Sequence, residues 1–155
     1  MSTAGTDFKK FTVDEIVARM PEKFRAVLKK NVLEKIKSGK KVRVYCDGVF
    51  DMFHFGHMRM LKQIKDLIPN VHLIAGVCCD EDIIKNKGSN IMSDHERLES
   101  VKHCKWVDEI YFPAPWSYKI EFLQNLECDF VAHDVAPYGA SETGDVYAPM
   151  KKAGM

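Results

Sequence analysis

Two histidines flank a glycine in His54-Phe55-Gly56-His57, where a short apolar strand, Val42 to Cys46, passes through an Asp-Gly turn into a helical stretch. Gly48 permits a turn at the strand tip, and Gly56 lets a ligand approach the backbone with no Cβ in the way. A helix start offers unpaired N–H groups and the positive end of the helix dipole, and both favour anions. Imidazoles three residues apart face the same side and donate hydrogen bonds to phosphate oxygens. The chemistry that suits these types at this spacing is phosphate handling. Two other readings stay open on the residues alone. One is zinc ligation, for which no cysteine or carboxylate stands at compatible local spacing; the other is a pair of satisfied structural histidines. Neither a dinucleotide-binding glycine fingerprint nor a P-loop is present.

The surrounding chain supplies the frame. From Phe11 to Lys37 apolar residues recur every three or four positions, which predicts helix, divided at Pro21 and stopped at Ser38-Gly39. Then the period changes. Val42–Cys46, His72–Cys78, Val107–Phe112 and Asp129–His133 read as short strands buried on both faces, the habit of a parallel sheet. Helices are expected over Gly56–Leu67, Asp94–His103 and Ser117–Leu126, the second opened by a capping box from Ser93 to Glu96. Alternating strand and helix gives an open, doubly wound α/β sheet, which binds ligands beyond the carboxyl ends of its strands.

The bulk numbers exclude several function classes. With 155 residues, 46% hydrophobic and 29% charged, the chain matches a globular domain with a real core rather than a disordered or fibrous one. A formal net charge of +1 makes no electrostatic case for nucleic acid as partner. The five cysteines, Cys46, Cys78, Cys79, Cys104 and Cys128, contain no Cys-x-x-Cys pair and suit a reducing, cytoplasmic setting. No secretory signal and no apolar run of spanning length are read.

Longer motifs narrow the reading. Asp-Gly-Val-Phe-Asp-Met-Phe-His-Phe-Gly-His is followed in order by Ile-Ala-Gly-Val-Cys-Cys-Asp-Glu, His-Glu-Arg-Leu, His-Cys-Lys-Trp-Val-Asp-Glu-Ile, Ala-Pro-Trp and Phe-Val-Ala-His-Asp-x-x-Pro-Tyr. From about Lys41 to Met155 the chain resembles the catalytic domain of the choline-phosphate cytidylyltransferases, in the nucleotidyltransferase superfamily. The resemblance implies a Rossmann-like nucleotidyltransferase fold, an open parallel sheet with flanking helices. It also implies CMP transfer from CTP to phosphocholine, with Mg2+ accompanying the nucleotide and a homodimer as the assembly.

By the same resemblance, His54, His57 and Lys87 are the catalytic residues. Nucleotide contacts fall to Val49, Phe50, His54, Gly56, His57, Asp80, Lys87, Arg97 and Lys105, with Lys87 on a loop between the second strand and the next helix. Position 105 is Lys where some relatives carry Arg, which keeps the charge without the bidentate fork. Phosphocholine contacts fall to Asp47, Lys87, Trp116, His133, Asp134 and Tyr138. A quaternary ammonium donates no strong hydrogen bond, so aromatic faces and a carboxylate are the physical means of holding it. The turn at Ala114-Pro115-Trp116 favours an exposed indole, and Tyr147 is a further aromatic nearby. No metal ligand is assigned.

Residues 1–40 are expected to form a basic helical extension and 41–155 the catalytic domain. That domain reads as truncated, because the family's late Arg-Thr-Glu-Gly-Ile-Ser-Thr-Ser type stretch is absent. The long amphipathic helix by which some relatives reach lipid is absent too, so membrane association has no support in this chain. The alternatives are the phosphoethanolamine enzyme of the same fold, a glycerol-3-phosphate acceptor, and a nucleotide-binding fragment without turnover.

Overall fold

A computed structural model describes residues 14–15, 18, 22–25, 30–68, 70–133 and 147–155. Within the helical N-terminal pattern lie α1 (Glu22–Arg25) and α2 (Lys30–Lys37). The expected stop is present. Gly39 adopts φ +70, its N–H donates to the Ile36 carbonyl at 3.1 Å, and that of Lys40 donates to Lys35 at 2.9 Å. This left-handed cap pairs two carbonyls that the helix end would leave bare, and glycine enters it without a Cβ penalty.

The apolar runs form four parallel strands, β1 (Val42–Gly48), β2 (Val71–Cys78), β3 (Glu109–Ala114) and β4 (Phe130–Val131), in the order β3-β2-β1-β4. Alternate side chains leave a strand on opposite faces, and here both faces are covered. Val42, Val44 and Cys46 of β1, with Leu73, Ala75 and Val77 of β2, enter one core beside Val32 and Ile36 of α2. Tyr45 and Ile74 enter a second core with Leu123 and Met150. A largely apolar run is therefore what these two central strands require, whereas β3, expected over Val107–Phe112 and buried on both faces, is a part-exposed edge strand that begins at Glu109 and leaves Phe112 exposed. Each Leu, Ile or Val so buried contributes roughly 1.5–3 kcal/mol.

The remaining helices are α3 (Phe55–Leu67), α4 (Asp80–Asn86), α5 (Asp94–Lys102), α6 (Ile120–Asn125) and α7 (Ala148–Ala153). α5 carries the expected capping box: the Ser93 N–H donates to Glu96 Oε2 at 2.9 Å and the Glu96 N–H to Ser93 Oγ at 3.4 Å. α4 was not expected, since the stretch after β2 reads as loop. Its signal is the acidic first turn, Asp80-Glu81-Asp82, which complements the dipole at a helix start. β1 runs two residues beyond its expected end, because Asp47 and Gly48 still pair with Gly76 and Val77. β4 keeps only Phe130 and Val131, which pair with Val44 and Tyr45.

The strand order sets the site. The chain lays β2 and β3 on one side of β1, then returns to place β4 on the other. Ligands of open α/β sheets bind where the order reverses, outside the carboxyl ends. Asp47 and Gly48 end β1 there, and His133 follows β4. No helix among the described residues is long and apolar enough to cross a membrane.

Candidate active site

Between β1 and α3 the backbone takes two unusual steps, Phe50 at φ +55 and Met52 at φ +48. Left-handed geometry costs a residue with a Cβ roughly 1–2 kcal/mol. Packing holds the turn in place. Phe50 is buried, with its ring edge-on to Phe53 and His57 at 6.2 and 5.6 Å between centroids. Phe53 in turn stacks on His57 at 5.6 Å and 3°.

His54 is the N-cap of α3. The Gly56 N–H donates to His54 Nδ1 at 2.9 Å, and the His54 N–H donates to His57 Nδ1 at 3.3 Å. A neutral imidazole that accepts at Nδ1 carries its proton on Nε2. Both rings are thereby set as Nε2–H donors, with centroids 4.2 Å apart, at the positive end of a helix. Gly56 has a role the sequence did not disclose: a Cβ there would sit 2.7 Å from His54 Cε1. The glycine makes room for the imidazole itself.

A second group frames the loop opposite. Arg97 is fully buried and donates to the Val49 carbonyl at 2.7 Å, Asp80 Oδ1 at 2.7 Å and the Met92 carbonyl at 3.2 Å. Asp80 also accepts from Asn90 Nδ2 at 2.8 Å and the Asp94 N–H at 3.1 Å. Burial alone would raise the Asp80 carboxyl, but Arg97, the Asp94 N–H and Asn90 outweigh it and hold it below the usual carboxylate range. Asp51 accepts from the N–H groups of Ile91 and Met92, each at 2.9 Å, and these lower its pKa. So Arg97 and Asp80, expected at the nucleotide, join the ends of β1 and β2 to the start of α5. Val49 enters this frame through its carbonyl, and Phe50 packs beneath His57.

A third group stands at the carboxyl ends of β1 and β4. The Tyr118 hydroxyl donates to Asp47 Oδ1 at 2.8 Å. His133 stacks on Tyr147 at 4.1 Å and 4°, and Tyr147 meets Tyr118 edge-on at 6.5 Å. Burial pushes the Asp47 carboxyl up, against the lowering effect of Tyr118 and of a charge on His133. Burial likewise raises the phenols of Tyr118 and Tyr147, with Asp47 adding to it.

Other expected residues lie further out. Trp116 is half-buried on the small cluster of Cys78, Ile83 and Ala114, rather than standing exposed at its turn. The reason is α4, whose Ile83 needs a cover. Lys87 is exposed as the C-cap of α4, not on a free loop; its N–H donates to the Ile83 carbonyl at 2.8 Å. Lys105 lies over the Trp106 ring at 4.7 Å and shares a recess with Phe53. Asp134 and Tyr138 fall outside the described residues. Asp51, Asn90 and Tyr118 were missed. Asp51 had a signal, the second aspartate of Asp-Gly-Val-Phe-Asp; Tyr118 had none, since its partner is 71 residues away in the chain.

A family model described as Cytidylyltransferase-like matches residues 45–151. The chain is 53% identical over 116 residues to the probable choline-phosphate cytidylyltransferase of Schizosaccharomyces pombe, covering 75% of this chain and 32% of that protein. It is 43% identical over 115 residues to the ethanolamine-phosphate cytidylyltransferase of Dictyostelium discoideum, covering 74% and 31%. The chain thus spans about a third of the length of these relatives. The lipopolysaccharide core biosynthesis protein of Thermoplasma volcanium GSS1 matches with a TM-score of 0.53 over 74% of this chain and 89% of that one. At 23% identity this is a likeness of fold alone. The matched stretch opens on β1 and takes in the imidazole pair, the loop frame and the Asp47–Tyr118 contact, and the chain belongs to the cytidylyltransferase-like family.

Proposed function

We propose that this domain transfers CMP from CTP to phosphocholine, giving CDP-choline and pyrophosphate. A phosphate oxygen of phosphocholine forms a bond to the α-phosphorus of CTP. The bond from that phosphorus to the β-phosphate oxygen breaks, and pyrophosphate leaves with the electron pair. Such a transfer calls for positioning and charge stabilisation rather than a covalent intermediate. The observation that carries the reading is the pair of imidazoles whose Nδ1 atoms accept backbone N–H groups within the helix start. It makes them donors to developing phosphate charge, not general bases. Lys87 is the proposed third catalytic group, reaching from the end of α4.

For the acceptor, a half-buried carboxylate beside Tyr118, His133 and Tyr147 supports a quaternary ammonium, which is held by a negative charge and π faces. Greater identity to the choline-phosphate relative than to the ethanolamine-phosphate one supports the same choice. No group of three or more His, Cys, Asp or Glu is placed to hold a metal ion among the described residues. Magnesium in this reading comes with the triphosphate as its counter-ion, and no step is routed through it. A catalytic domain over 41–155, a cytoplasmic location and a homodimer complete the proposal. Exposed Met52, Phe55 and Met58 near the start of α3 support a second copy docking there.

The test is pyrophosphate release from CTP and Mg2+ with phosphocholine, phosphoethanolamine or glycerol 3-phosphate. Preference for phosphocholine is expected. Turnover favouring phosphoethanolamine would overturn the acceptor, and nucleotide binding without turnover would leave a binding module.

A further inference from the structure

Resting on the phosphocholine reading, we infer that Tyr118 is a positioning residue: its hydroxyl orients the Asp47 carboxylate toward the cationic end of the acceptor. Asp47 lies at the tip of β1, half-buried between strands, where a lone carboxylate is expensive to keep charged. Tyr118 comes from the turn ahead of α6 and donates to Oδ1 at 2.8 Å. Its own ring is locked edge-on against Tyr45 at 5.4 Å and tilted on Phe122 at 5.2 Å. The donor therefore arrives preset, at little entropic cost, and constrains the rotation of the carboxylate. A hydrogen bond to a charged acceptor also favours the ionised form, opposing the burial that raises Asp47.

Chemistry gives this contact a selective meaning. A quaternary ammonium donates no hydrogen bond, so it cannot itself select a rotamer of the carboxylate. The protein must do so, and Tyr118 is placed for it. Five titratable groups bear on Asp47: Tyr45 on its own strand, Cys78 on β2, Tyr118, His133 after β4, and Tyr147 before α7. Burial drives Tyr45, Tyr118 and Tyr147 upward and Cys78 up to about 12.

Tyr118→Phe removes the hydroxyl and keeps the ring, so packing against Tyr45 and Phe122 is retained. Phosphocholine binding by calorimetry and the KM for each substrate are measured in both proteins between pH 5.5 and 9, with melting temperature as control. The expected result is a phosphocholine affinity weaker by about tenfold near neutrality, an unchanged KM for CTP, and an acidic limb moved to higher pH. The deficit narrows toward the alkaline end, where Asp47 ionises without help, and the part owed to lost orientation remains. His133 is common to both proteins and cancels in the difference. Equal affinity at every pH, or a loss uniform in pH and matched by a fall in melting temperature, overturns the role of Tyr118 and leaves the phosphocholine reading standing. Failure of the unaltered chain to bind phosphocholine overturns both.

Discussion

The imidazole of His54 occupies the space that a side chain at Gly56 would need: a Cβ there would come within 2.7 Å of Cε1 and 3.0 Å of Nδ1. The same two residues are joined by the 2.9 Å bond from the Gly56 N–H to Nδ1. Donor and glycine are one fitted unit, and the cap that starts α3 is also what aims the ring.

Gly56→Ala must therefore displace His54. The ring cannot simply swing, since the motion breaks the cap and alters its 4.2 Å approach to His57. A fall in kcat of about 10²-fold is expected, comparable with loss of one charge-stabilising donor. Stability should fall by only ~1 kcal/mol, the usual worth of a cap. Steady-state kinetics beside a urea titration checks both.

Arg97→Lys should cost much more stability than its retained charge suggests. Lysine lacks the planar fork that meets Val49, Asp80 and Met92 together, and it leaves half-buried acceptors unpaired. A loss of roughly 3 kcal/mol is expected. An unfolding midpoint matching the unaltered protein would show that the fork is not needed.

Asp47→Asn separates stability from function. The Asp47 carboxyl is raised by burial, so its ionisation costs folding free energy as pH rises through and above the ordinary carboxylate range. The amide escapes that cost while still accepting from Tyr118. At pH 7 the variant should melt no lower than the parent, yet bind phosphocholine at least tenfold more weakly. Calorimetry reads the second effect and thermal denaturation the first.

Acid should loosen the loop frame. Asp51 is held low by the N–H groups of Ile91 and Met92, and Asp80 is held low as Arg97, Asp94 and Asn90 overcome its burial. Lowered carboxyls stabilise fully above their ordinary range, near 4, and lose that contribution as pH falls through their folded values. The contribution of this frame to the melting temperature should be level above about pH 5 and drop below about pH 4. In Asp51→Asn the drop should be shallower; an identical profile would remove Asp51 from the frame.

Where the sequence was legible, the governing geometry was local. The three-residue step from His54 to His57, the Ser93–Glu96 box and the glycine after Lys37 each lie within one helical turn, and each is found as expected. The strands were visible for a similar reason, since Val42–Cys46 and His72–Cys78 are apolar except at Arg43 and His72 and so can bury both faces. α4 escaped because its two isoleucines are adjacent, Ile83 buried and Ile84 exposed, with polar residues on either side, and leave no period to read. Trp116 was expected outside for want of that same helix.

By itself the sequence determined the α/β alternation, the imidazole pair at a helix start and, through its longer motifs, the family. Only the tertiary structure decided which distant groups brace the loop before the pair and what meets Asp47. Arg97 meets Val49 across 48 residues of chain, and Tyr118 meets Asp47 across 71. Hydrogen bonds act over about 3 Å, while periodicity describes a chain only over a few residues. Partners so distant are chosen by strand order, here the return of β4 to the far side of β1. They are held because a buried charge must find a partner wherever the fold brings one.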